Sequence, residues 1–69
     1  MLIETNIGYF GTWKDLEICM RLESHKNVII YNATWWGTNL LLNRPLELTY
    51  DEVLRMSRNQ INLSELAGR

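Results

Sequence analysis

The sequence predicts a small α+β domain: an antiparallel β-meander of three to four strands followed by a C-terminal helix packed on one face. Three observations lead there. β-branched and aromatic residues crowd "VIIYNATWW", residues 28 to 36, as a strand requires. Short polar connections separate the apolar stretches, and connections of a few residues join antiparallel neighbours. After Pro45 the pattern changes to a helix start and a helical stripe. With 69 residues the chain is expected to form one domain, 1–69. A domain of this length buries only about 60% of the surface its unfolded chain exposes, so the placement of a single large side chain matters.

Residues 2 to 10 read as the first strand, with Ile3, Thr5, Ile7 and Tyr9 on one face; Gly8 and Gly11 flank its end and "GTW" turns the chain. Residues 16 to 23, "LEICMRLE", alternate at every position. Leu16, Ile18, Met20 and Leu22 face one way and Glu17, Cys19, Arg21 and Glu23 the other, which predicts a half-buried second strand. The competing helical stripe is Leu16, Cys19, Met20 and Glu23; it would leave Ile18 and Leu22 near its edges. "ESHKN" is a polar turn, and the third strand follows. "GTN", residues 37 to 39, makes the next turn, and Leu40 to Asn43 gives a short fourth strand. Pro45, which has no amide hydrogen to give a central ladder, ends the sheet region. Thr49-x-x-Glu52 is a capping box, and Asp51 and Glu52 suit the positive end of a helix dipole. The helix, residues 50 to 59, carries Tyr50, Val53, Leu54 and Ser57 on one stripe. A short last turn follows, capped by Asn62.

Composition excludes several classes. Hydrophobic residues make up 46% and charged residues 22%, a globular balance that argues against disorder. No apolar run approaches the ~20 residues of a membrane span. The amino-terminal stretch has no basic residue ahead of its apolar part, so no export signal is expected. Cys19 is the single cysteine, which precludes an intramolecular disulfide and fits a reducing cytoplasm. The sequons Asn32-Ala33-Thr34 and Asn62-Leu63-Ser64 are short enough to arise by chance. The formal net charge of -1 and a pI near 5.7 do not suit a nucleic-acid surface or an anionic membrane.

Trp35 and Trp36 pose the main question. Neighbours in a strand point to opposite faces, so one indole can face the core and the other must face something else. In the third strand Ile29, Tyr31, Ala33 and Trp35 fall on one face, and Val28, Ile30, Asn32, Thr34 and Trp36 on the other. Neither face is plainly polar. A single helix covers one face only, so an aromatic cluster is left partly uncovered, and such clusters mark interaction sites. The alternative is structural: Trp13 or the first strand folds over the second face, or the Trp35-Trp36 pair sits at the sheet end with one ring lying across the edge.

Little else carries chemistry. His25 stands in a predicted turn and reads as a surface histidine. Cys19 lies between Glu17 and Arg21 with nothing to mark it as an activated nucleophile. One His and one Cys fall short of a zinc set. Asp15 with Glu17, or Asp51 with Glu52, could ligate a hard cation, though the second pair has a better use at the helix start. Gly8-x-x-Gly11 lacks the lysine and setting of a phosphate loop. No catalytic residue, metal or cofactor is expected. The leading expectation is a non-catalytic cytoplasmic protein-binding module, an inhibitor, adaptor or regulator of a larger protein. Accessory proteins of phages and mobile elements often have this form. Its contact residues would be Trp35, Trp36, Tyr31 and Trp13, on another protein or in a homodimer. The alternative is a small nucleic-acid-binding regulator that uses Arg55 and Arg58, which share a helix face.

Overall fold

The first strand stops at Thr5. In the computed structural model, which describes residues 1–41 and 44–68, the Thr5 hydroxyl donates to the Gly8 carbonyl at 2.8 Å and accepts the Ile7 amide at 3.1 Å. These bonds offer the backbone an alternative to the ladder, and the chain reverses. Residues 2 to 10 therefore form a hairpin where a single strand was expected: β1 (Leu2–Thr5) and β2 (Gly8–Phe10), antiparallel, with Ile3 opposite Phe10 and Thr5 opposite Gly8. Gly8 sits at φ 141°, a conformation other residues rarely adopt.

Residues 16 to 23 correct a second expectation. They lie almost wholly in a helix, α1 (Trp13–Leu22). Thr12 caps its start by accepting the Asp15 amide at 3.0 Å. Its end is a Schellman motif: the Ser24 amide donates to the Arg21 carbonyl and the His25 amide to the Met20 carbonyl, with Ser24 at φ 57°. Burial follows the helical period. Leu16 and Met20, four apart, are sealed, while Leu22 is 76% exposed. The alternation in the sequence is thus a coincidence, overridden by caps at both ends and an apolar stripe that meets the core.

β3 (Asn27–Trp35) is the central strand. Ile30 is paired with both Thr5 and Leu46, and Thr34 with both Leu2 and Asn39. Hence β1 lies along one edge of β3, and β4 (Thr38–Asn39) and β5 (Leu46–Thr49) share the other edge end to end. The order is β2-β1-β3, with β4 and β5 in the fourth lane, and every pairing is antiparallel. β2 consequently runs parallel to β3 with β1 between them, and α1 carries the chain across. The fold is the small α+β class expected, an antiparallel sheet with helices that include a C-terminal one.

The fourth lane differs in detail from expectation. Its first strand is Thr38–Asn39; of the segment expected there, Leu42 and Asn43 lie outside the described residues. The Leu40 amide still bonds the Ala33 carbonyl at 2.7 Å. Pro45 does not end the sheet but precedes β5, because a residue without an amide hydrogen is tolerated just ahead of an edge strand.

α2 (Tyr50–Ser57) opens with the expected capping box: the Thr49 hydroxyl accepts the Glu52 amide at 3.2 Å and the Glu52 carboxylate accepts the Thr49 amide at 2.9 Å. A second Schellman motif ends it, with Asn59 at φ 58°. α3 (Leu63–Ala67) starts at Asn62, whose side chain makes no capping bond. The helices share one face of the sheet. Leu16, Met20, Val53, Met56, Leu63 and Leu66 meet Ile3, Val28, Ile30, Ala33 and Leu48 in a single core. No helix among the described residues is long and apolar enough to cross a membrane.

Candidate protein-contact site

A β-bulge decides where the aromatic residues of β3 point. Glu4 pairs with Asn32 but Thr5 pairs with Ile30, so Tyr31 is the extra residue. Val28 and Ile30 face the helices before the bulge, and Ala33 does so after it; all three are sealed. The alternation is inverted, and the two face sets expected from the sequence do not hold past Ile30. Tyr31 is 51% exposed, which is incompatible with the enclosed side between Ile30 and Ala33. It belongs to the open face, away from the helices.

Trp35 shares its parity with Ala33 and so lies on the helix side, at the rim of the core and 48% exposed. Trp36 lies on neither strand face. It is the first of two loop residues, Trp36-Gly37, that close the β3–β4 hairpin between the paired Trp35 and Thr38. Both have positive φ, 54° and 79°, the pattern of a type I′ turn, which favours Asn-Gly. The turn expected at residues 37 to 39 is thus one residue earlier and tighter. Gly37 takes its conformation freely. Trp36 does not, since a left-handed backbone costs an L-residue about 1–2 kcal/mol. Its indole is 87% exposed and stands edge-to-face against Trp35, centroids 6.0 Å apart and planes at 87°.

Trp13 completes this end of the molecule. As the first residue of α1 it packs half-buried against the core. Trp13, Trp35 and Met56 line a cavity of ≈ 200 Å³ beside the N-terminus of α1. A second cavity of ≈ 390 Å³ shares Met1, Trp13, Met56 and Asn59 with the first and extends under Leu40 and Ile61. Together they form a groove floored by methionine and aliphatic side chains, with two indoles on its wall and a third projecting beside it. Of the four residues singled out in the sequence, Trp13, Trp35 and Trp36 therefore gather at one end, and Tyr31 does not join them. The sequence reading missed Met56 and Met1 in the groove, and Tyr9 and Leu2 on the open face. Thr12-x-x-Asp15 is a local helix-start signal that puts Trp13 in the first turn of α1, while its place beside Met56 comes from the packing of α1 on α2.

Asn32 Oδ1, on β3, is buried without a hydrogen-bond partner. The polar groups that carry chemistry elsewhere are paired. Glu17, enclosed between α1 and α2, accepts from the Tyr50 hydroxyl at 2.9 Å and from Arg21 Nε at 3.1 Å. The bond to Glu17, aided by partial burial and the carboxylate charge, raises the Tyr50 pKa. Glu23 bridges Cys19 and His25: Cys19 Sγ donates to Oε2 at 3.4 Å, and His25 Nε2 lies 3.1 Å from Oε1. Desolvation, then the bond to Glu23 and its charge, raise the Cys19 thiol, the opposite of nucleophile activation. His25 in turn lowers the Glu23 carboxyl, with help from Cys19. Arg55 pairs with Asp51 at 3.3 Å, and Arg58 is the C-cap residue of α2. Among the described residues no cluster of three metal-ligating side chains forms. No protein-family model, curated protein or solved structure matches this chain.

Proposed function

We propose that this chain is a non-catalytic protein-binding module, an inhibitor, adaptor or regulator of a larger protein, and that it grips its partner with the Trp13–Trp35–Trp36 end. The observation that carries the reading is Trp36. A bulky residue holds a left-handed turn position that asparagine or glycine fills without strain, and in return it buries almost nothing. The fold gains little from it, and strain of this kind accumulates where function needs a side chain held in place. Tryptophan is also a preferred anchor at protein interfaces. The groove beside it offers a complementary pocket for an apolar side chain of the partner, and the polar residues Asn59, Asn62 and Ser64 supply a rim.

Affinity capture from the source cells with the wild type and the Trp36→Asn variant, quantified by mass spectrometry, tests this. Truncating a central anchor costs about 2 kcal/mol or more, so the partner should be retained about 30-fold less well by a variant that remains folded. Equal capture by both proteins removes Trp36 from the interface. Sedimentation of the wild type distinguishes a homodimer from a foreign partner. The nucleic-acid alternative predicts retention on immobilised DNA that weakens steeply with salt. The pairing of Arg55 with Asp51 weighs against it.

A further inference from the structure

The strand register fixes the make-up of the open sheet face. Tyr9, Glu4 and Asn32 form one row across β2, β1 and β3; Leu2, Thr34 and Asn39 form another; Ile29 and Glu47 form a third, and Asn27 and Thr49 a fourth. Tyr31 bulges between these rows. Tyr9 is 74% exposed, and Leu2 is exposed as well. The helices pack on the other side, so the aromatic and aliphatic side chains of this face, Tyr9, Tyr31, Leu2 and Ile29, set among polar Asn and Thr residues, have no helix over them among the described residues. Every charged side chain that the register puts on it is a carboxylate, Glu4 or Glu47. Neither takes part in the ion pairs found among the described residues.

We infer that this face is a second docking surface, built for a basic amphipathic helix of another protein. Its charge selects the occupant. A second copy of the same face would set carboxylates against carboxylates, and like charges across an interface are disfavoured. Nucleic acids and anionic membranes are refused for the same reason. A partner with Arg or Lys beside its apolar residues is favoured twice, by the two carboxylates and by the faces of Tyr9 and Tyr31, which attract a guanidinium. Geometry selects a helix. An added strand uses a sheet edge, whereas a helix lays its apolar stripe across a face, as the second layer of an α/β packing does. Glu4 and Glu47 flank β3 on opposite sides and are offset along it by the Asn32-to-Ile29 step. Strand spacing and rise put their backbones roughly 12 Å apart. Helical residues seven or eight apart are separated by about 10.5–12 Å. One cation at i and another at i+7 or i+8 thus reach both carboxylates, while apolar residues at i+3 and i+4 lie over Tyr31.

A synthetic alanine-rich helical peptide with Arg at i and i+7 and Leu at i+3 and i+4 is the probe, followed by amide shifts in the nuclear magnetic resonance spectrum of the full chain. Binding should move Glu4, Tyr9, Tyr31 and Glu47, and should weaken as salt is raised. The same peptide with Glu in place of Arg should bind at least about tenfold more weakly, a comparison that leaves the protein untouched. A Glu4→Lys/Glu47→Lys double variant should reverse the preference. The inference is overturned if the Arg peptide does not bind at millimolar concentration, if both peptides bind alike, or if the shifts fall on Trp13, Trp35 and Met56. The surface is independent of the tryptophan groove, so Trp36→Asn should leave this binding unchanged.

Discussion

Trp36→Asn should make the protein more stable. The substitution removes a left-handed tryptophan, worth about 1–2 kcal/mol of strain, and installs a residue that type I′ turns favour at that position. Against this stands the edge-to-face contact with Trp35, about 0.5–1.5 kcal/mol when well enclosed and at the low end for a ring that is 87% exposed. The difference is a gain of about 0.5–1.5 kcal/mol. In a domain of this length each kcal/mol moves Tm by about 4–8 °C, so the midpoint should rise by about 2–12 °C. Thermal unfolding followed by circular dichroism measures that directly, and urea unfolding should show a higher midpoint with an unchanged slope. A loss of more than about 1 kcal/mol would refute the reasoning on the scale of the strain itself. It would mean that the indole is held by contacts the fold needs, and that its exposure is no sign of an external role. A stability gain coupled to a loss of partner capture is the pattern of a side chain retained for function.

The other predictions test the parts of the fold that the sequence hid or showed. Met20→Ala should cost about 2–5 kcal/mol as a core truncation, whereas Leu22→Ala should fall within about 0.5 kcal/mol; equal effects would restore the strand reading of residues 16 to 23. Thr49→Ala removes the hydroxyl half of the capping box and should cost about 1 kcal/mol in urea unfolding. Tyr50 is more weakly acidic when folded than its ordinary value of 10.0, so its contribution is complete below that value and is lost as pH rises through the higher folded pKa. Unfolding titrations between about pH 9 and pH 12, a window set by the tyrosine pKa, should therefore show wild-type stability falling more steeply than that of Tyr50→Phe, and parallel curves would remove the Tyr50–Glu17 bond from the linkage.

Much of the fold was legible because it rests on local chemistry. The capping box at Thr49 and Glu52 needs only two residues three apart, and it appears as read. The crowding of Val, Ile, Tyr and Trp after Asn27 marked the central strand within one residue at each end. The helix at Trp13 was also written locally, in Thr12-x-x-Asp15 and in the spacing of Leu16 and Met20. A chance alternation obscured it, because short apolar segments satisfy both periods. The candidate site was less legible. Grouping Trp35 with Tyr31 assumed an unbroken alternation along β3, and grouping Trp36 with Ile30 assumed that Trp36 still belonged to the strand.

By itself, then, the sequence determined the class, the central strand, the second helix with its box, and a surplus of aromatic residues over what one helical layer could cover. Only the tertiary structure decided which side each aromatic takes. The face of a strand residue depends on every step between it and the last fixed pairing, so a single inserted residue inverts all that follow. That insertion, Tyr31, arises because β1 must place Thr5 against Ile30 and Glu4 against Asn32. The partner strand is remote in sequence, and no local pattern in residues 28 to 36 records it.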